Sequence, residues 1–175
     1  MHGVIFTSFR QFTWSAFPAE TDAIWEGLPR YLAVDTYPDE DFDVLVARAA
    51  EMTGMSPREV LIAFGSYTSQ TMFLLLRPEF YESSKGTREF LLGVEERIHE
   101  VLRRTIPGAA PPRLNVVPLG EHGISITYTS DRGLCDMLEG LVIGTAGFYG
   151  ERFEIEQTTC MHRGDVACCF FITPA

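Results

Sequence analysis

The sequence predicts an α+β fold: a helical N-terminal part packed on a C-terminal antiparallel sheet with helices. Three observations carry this. Residues 37–67 and 86–108 repeat their apolar positions at helical spacing. A Pro111-Pro112 pair then ends the helical character. Beyond it come two strand–turn–strand patterns with a further helix between them.

In the first segment, Phe42, Leu45, Val46, Ala49 and Ala50 share one helical face, and Gly54 suits the C-terminal stop. A second helix opens at Ser56-Pro57-Arg58-Glu59, a capping box with Ser at N-cap, Pro at N1 and Glu at N3. "GTREFLLGVEERIHEVLRRTIPG" predicts one longer helix with a stripe of Phe90, Leu91, Val94, Ile98, Val101 and Leu102, halted near Pro107-Gly108. "RLNVVPL" and "GISITYTS" read as a hairpin, "GLCDMLEGLVIGTAGFYG" as a helix despite its glycines, and "RFEIEQTTC" with "VACCFFIT" as a second hairpin around "HRGD". The expected organisation is one domain over residues 1–175. A helical subdomain spans roughly 1–60 and an α+β subdomain roughly 61–175, with no internal repeat and no low-complexity linker.

With 175 residues, 46% of them hydrophobic, the chain can bury a sizeable core. Its thirteen phenylalanines suit plain core packing first and a cavity for a flat apolar ligand second. A formal charge of −10 argues against a nucleic-acid or anionic-membrane surface. The start "MHGVIFTSFRQ" lacks a signal-peptide pattern, and "TMFLLL" and "LEGLVIGTAGF" are too short to span a bilayer. A cytoplasmic location is expected, where four cysteines are more often reduced, metal-bound or redox-active than bridged. No Ser-His-Asp order, phosphate loop or HExxH pair points to an enzyme.

The stretch "ITYTSDRGLC" carries chemistry. Read as a strand, it places Tyr128, Ser130 and Arg132 at i, i+2 and i+4 on one face, a donor row about 13 Å long. A guanidinium fork and two hydroxyls suit an anionic ligand with two acceptor groups. A solvated strand face is the commoner origin of such a triplet.

Y-x-S-x-R followed by a short helix resembles the signature of the haem-nitric-oxide/oxygen-binding (H-NOX) family, of the bacterial stand-alone type. The "PGAxPPRL" segment, the opening "MHGVIF" and the closing "EIEQTTCMHRGD…CCFFI" also resemble that family, so the likeness covers nearly the whole chain. The resemblance implies an H-NOX-like fold with haem b between the two subdomains. Tyr128, Ser130 and Arg132 would hold the propionates, and His99 would ligate the iron. Pro112 would press on the porphyrin, while Ile5 and Leu141 would line it. On a helical wheel, His99 lies about 60° beyond the apolar stripe, in the direction of Leu92, as a solvated histidine would. A pocket on the second side of the helix follows from the resemblance alone. His2 at the terminus and His122 and His162 in turns are poor places for a buried axial ligand.

In oxygen-binding members, a tyrosine five residues after the motif arginine donates to bound O₂. Here that position is Met137, whose thioether donates nothing. Phe9 and Thr68, the latter with Tyr67 and Ser69 beside it, match the supporting distal positions. This favours nitric oxide over O₂, with CO not discriminating. The implied switch loosens the bond to His99, relaxes its helix and relieves the pressure from Pro112. A separate partner, such as a histidine kinase or a cyclic-dinucleotide enzyme, reads the change. Asp136 and Glu139 flank Met137 on what reads as a solvated helix face.

Some relatives carry zinc on cysteines matching Cys135, Cys160 and Cys168. The fourth position is Gln157, a departure for which His162 or Cys169 are the candidate substitutes. Buried inert thiols and thiol redox sensing remain open for the same residues. Two rival functions stand beside the gas sensor: a haem-independent thiol or zinc redox sensor, and a small-molecule binding domain like the 4-vinyl-reductase type.

Overall fold

The computed structural model describes residues 1–76 and 78–175, and side chains outside residues 72–78. Helix α1 (Gly3–Ala16) opens the chain. His2 caps it, its Nδ1 accepting the Val4 amide at 3.4 Å, and Phe6, Phe9, Phe12 and Thr13 form its buried face. After α2 (Thr21–Trp25) comes α3 (Asp39–Thr53), whose buried residues are the expected Phe42, Leu45, Val46, Ala49 and Ala50. Gly54 ends it in the left-handed conformation, with φ of 73°.

The capping box forms as expected. Glu59 Oε2 accepts the Ser56 amide at 2.7 Å, and the Glu59 amide reaches back to Ser56 Oγ at 3.3 Å. It starts α4 (Pro57–Leu76), which runs unbroken through residue 60 and is followed by α5 (Pro78–Glu82). The helix expected over 86–108 is three joined pieces: α6 (Thr87–Val94), a π-helical turn over Glu95–His99, and α7 (Glu100–Thr105). Of the expected stripe, Phe90, Leu91 and Ile98 are buried, while Val94, Val101 and Leu102 are half-buried.

Both hairpins are present. Strand β1 (Arg113–Leu119) pairs with β2 (Gly123–Thr129), and β3 (Phe153–Thr159) pairs with β4 (Cys168–Pro174). The contact between β2 and β4 joins them into one antiparallel sheet of order β1-β2-β4-β3. Helix α8 (Cys135–Tyr149) connects the hairpins.

Two buried clusters result. The first gathers Phe6, Phe9, Phe12, Phe42 and Phe64 from α1, α3 and α4. Some of their rings meet edge to face, as in Phe9–Phe64 at 5.0 Å and 86°, and others are tilted, as in Phe12–Phe64 at 5.6 Å and 47°, so the five pack on one another. The second joins the sheet to α6 and its continuation through Phe90, Ile98, Leu114, Ile126 and Phe170. Helix α8 lies between them. Met137 packs in the first cluster with Leu141 against it, whereas Cys135, Leu138 and Val142 pack in the second.

The α4–α8 crossing explains the glycines of α8. A Cβ built on Gly140 would lie 2.0 Å from the Ile62 carbonyl oxygen, and one on Gly65 would lie 2.2 Å from that of Met137. The helices touch backbone to backbone at these points. Gly140→Ala is therefore expected to destabilise the protein by about 1–3 kcal/mol, the usual cost of overpacking. Gly147→Ala, whose Cβ would meet only Gln70 Nε2 at 3.7 Å among the described residues, should gain helix propensity worth up to about 1 kcal/mol. Urea-unfolding midpoints check the pair, and equal midpoints would refute the close crossing. Among the described residues, no helix is long and apolar enough to cross a membrane.

Candidate functional site

Tyr128, Ser130 and Arg132 do not lie along one strand. Strand β2 ends at Thr129, and Asp131-Arg132 form a turn closed by Gly133 at φ of 62°. The row bends because the chain must turn from the sheet into α8. Tyr128 is buried, and its hydroxyl accepts the Leu134 amide at 2.9 Å. Burial raises its pKa, against hydrogen bonds from Ser130 and Leu134 that lower it, so it stays a neutral phenol. Ser130 Oγ accepts the Arg132 amide at 3.3 Å. Arg132 Nε meets Asp39 Oδ2 at 2.9 Å, and its Nη1 donates to the Ala110 carbonyl at 2.5 Å. Asp39 Oδ1 also lies 2.5 Å from the amino nitrogen of Met1. Burial opposes charge on Asp39, but the amino group and Arg132 outweigh it and lower its pKa. The turn therefore fastens the C-terminal half to the start of α3.

His99 faces inward, with 13% of its side chain accessible. The wheel misses this because the turn that contains His99 is π-helical. The Glu100 amide bonds to the Glu95 carbonyl five residues back, so the rotation per residue falls and the phase after Val94 slips. His99 Nδ1 lies 3.1 Å from Glu95 Oε2. Burial lowers the His99 pKa and outweighs Glu95, which raises it, leaving a neutral imidazole with Nε2 unengaged by this bond. Glu95 Oε2 also accepts the Leu114 amide at 3.1 Å, and Oε1 pairs with Arg103. Arg103 donates in addition to the Pro112 carbonyl at 3.3 Å. Burial opposes charge on Glu95, yet the Leu114 amide, His99 and Arg103 hold its pKa below the usual value. Glu95 is absent from the residues expected at the site, although a carboxylate four residues before a histidine on a helix is a legible pair.

Ile5, Phe9, Met137 and Leu141 meet in or against the first cluster. Thr68 is buried on α4, and its hydroxyl has no hydrogen-bond partner among the described residues. Asp136 and Glu139 are not a free solvated face. They grip Arg58 at 2.5 and 2.7 Å and tie the start of α4 to α8.

The sulfurs of Cys135, Cys160 and Cys168 lie within 4.8 Å of one another, all on buried residues. Cys135 and Cys160 are 4.0 Å apart. Zinc–sulfur bonds near 2.3 Å put tetrahedral ligands about 3.8 Å apart, so this spacing suits a metal. Burial pushes the Cys135 thiol up. For Cys160 burial acts the same way, but the His162 amide and the neighbouring thiols outweigh it and lower its pKa. Cys169 is no substitute ligand: one residue along β4 it faces the other side of the sheet, 3.8 Å from Thr127 Oγ1. His162 forms a second group with Cys135 and Asp136, its Nε2 2.7 Å from the Gly133 carbonyl oxygen. Gln157 Nε2 is buried without a hydrogen-bond partner among the described residues.

A groove of about 710 Å³ runs from α3 and the start of α4 to Arg132, Cys160 and His162. Neither His99, Tyr128 nor Met137 lines it, so it belongs to the outer side of the Arg132 turn.

The sequence profile described as Haem-NO-binding matches residues 2–157 of this chain. The fold is similar to that of an H-NOX protein from S. oneidensis in the Fe(II)NO state, with a TM-score of 0.90 and 22% identity. That alignment covers 100% of this chain and 99% of the other. It is also similar to the Fe(II) unliganded H-NOX protein from K. algicida, with a TM-score of 0.86 and 22% identity over 100% and 97% of the two chains. An S. oneidensis H-NOX domain in the Fe(II)CO state gives a TM-score of 0.88 at 22% identity, over 100% and 99%. At such identities the likeness establishes the fold. No curated protein sequence matches this chain.

Proposed function

Because this chain belongs to the Haem-NO-binding family, we propose that it holds haem b between its two subdomains and senses nitric oxide for a separate signalling protein. The observation that carries the reading is His99. It is an inward-facing imidazole, kept neutral by burial, with Nδ1 engaged by Glu95 and Nε2 left for a metal. In this reading, residues 61–175 supply the proximal side and residues 1–60 most of the distal side.

Tyr128, Ser130 and Arg132 take the propionates. The neutral phenol and the serine hydroxyl donate, while Arg132 supplies charge and stays anchored through Asp39. Pro112 bears on the ring from the proximal side, and Ile5 and Leu141 exclude water from its other face. Met137 faces the gas without donating a hydrogen bond, which favours nitric oxide, admits CO and disfavours O₂. Held by His99, Tyr128, Ser130 and Arg132, the haem would supply a ferrous iron able to take a diatomic gas. A change in the hold on His99 would pass along its helix, and the Arg132–Asp39 pair would couple the C-terminal half to the start of α3. The protein is then a cytoplasmic binding module rather than a catalyst. A histidine kinase or a cyclic-dinucleotide enzyme is the partner class.

The cysteine cluster supports zinc on Cys135, Cys160 and Cys168, with His162 nearer than Cys169 to completing the set. The 4.0 Å approach of Cys135 to Cys160 favours one second reading, a haem-independent thiol or zinc redox sensor on the same fold. One preparation tests both. The purified ferrous protein is expected to show a Soret band that moves on adding nitric oxide, and metal analysis to give one iron and one zinc per chain. A colourless protein carrying zinc alone would replace the first reading by the second.

A further inference from the structure

A histidine that gives Nε2 to a metal keeps its proton on Nδ1. The acceptor of that proton sets the ring's orientation and its strength as a donor. Here the acceptor is a carboxylate, Glu95 Oε2 at 3.1 Å from Nδ1. The two residues are the ends of one π-helical turn, a rare form that collects at functional sites. Glu95 cannot swing away. The Leu114 amide holds the same oxygen at 3.1 Å, and Arg103 holds the other while reaching the Pro112 carbonyl. Both side chains are mostly covered, at 24% and 13% accessible, so solvent weakens the contact little.

We propose that Glu95 is a tuning and positioning residue for His99. It draws on the Nδ1 proton, fixes the ring with Nε2 toward the iron, and strengthens His99 as an axial donor. It thereby sets how readily His99 lets go when a gas binds opposite. This rests on the haem reading above. Through Leu114 and Arg103, the same carboxylate joins His99 to the segment that contains Pro112.

A merely structural Glu95 would staple the helix to β1 and leave the iron–histidine bond unaltered. Resonance Raman of the haem-loaded ferrous protein separates the two roles. Glu95→Gln keeps the shape and an acceptor oxygen but loses the charge. It is expected to move the iron–histidine stretching band to lower frequency and to raise the five-coordinate share of the nitric oxide complex. Arg103→Met disturbs the same staple but spares the Glu95–His99 bond, and should leave the band at or above its wild-type frequency. If Glu95→Gln folds poorly, Glu95→Asp, one methylene shorter, must move the band the same way. An unmoved band in these Glu95 variants, with haem still bound through His99, overturns the inference and leaves the haem reading standing. A wild-type protein with haem but no iron–histidine band sinks both.

Discussion

His99→Ala is expected to leave the protein nearly free of haem after purification, and imidazole in the buffer to restore the Soret band. Alanine is the best helix former, so the helix should survive the exchange. What would be lost is the proposed bond from His99 to iron. At about 1.4 kcal/mol per factor of ten, a loss of roughly 3 kcal/mol or more means a hundredfold or greater weakening. No other histidine can take over. His2 is occupied as the cap of α1, His122 is exposed in the β1–β2 turn, and His162 bonds to the Gly133 carbonyl. Iron per protein, measured with and without imidazole, decides the matter. Unchanged haem content in the variant without imidazole would refute His99 as the ligand.

What the sequence made legible was local. The capping box at Ser56–Glu59, the glycine stop at Gly54 and both hairpins follow from neighbouring residues, and they formed where expected. Helix α1 was equally readable from Phe6, Phe9, Phe12 and Thr13, though it went unassigned. The rest depended on tertiary context. The end of β2 at Thr129 reflects the turn into α8, where period-2 reading of Tyr128, Ser130 and Arg132 ran on too far. A wheel with one fixed angle cannot anticipate a π-helical turn, so His99 looked solvated. Arg132 finds Asp39 across 93 residues, and Arg58 finds Asp136 and Glu139 across 78 and 81. No local pattern announces such pairs. The glycines of α8 looked like a weakness of the helix, but they are the means by which α4 comes close enough to bring Met137 and Leu141 into the first cluster.

The ferrous haem protein is expected to remain unliganded in air-saturated buffer while binding nitric oxide. Bound O₂ carries partial negative charge and needs a donor, worth about 0.5–1.5 kcal/mol net for an ordinary hydrogen bond and more in a dry pocket. Met137 donates nothing, and its buried cluster with Phe9, flanked by Ile5 and Leu141, is apolar. The residue that complicates this is Thr68, whose buried hydroxyl lacks a partner among the described residues. A threonine in a helix can turn its proton to the carbonyl four residues back, which would withdraw it from a gas. Met137→Tyr supplies a phenol in the same place, and the Thr68 hydroxyl can donate to the phenol oxygen, which leaves the phenol proton for O₂. That variant should gain at least about tenfold in O₂ affinity, as one added hydrogen bond near 1.4 kcal/mol implies. Thr68→Val in the wild-type background should leave the aerobic spectrum unaltered. A stable oxy spectrum from the unmodified protein would end the nitric-oxide-selective reading. Its loss in Thr68→Val would then identify that hydroxyl as the donor.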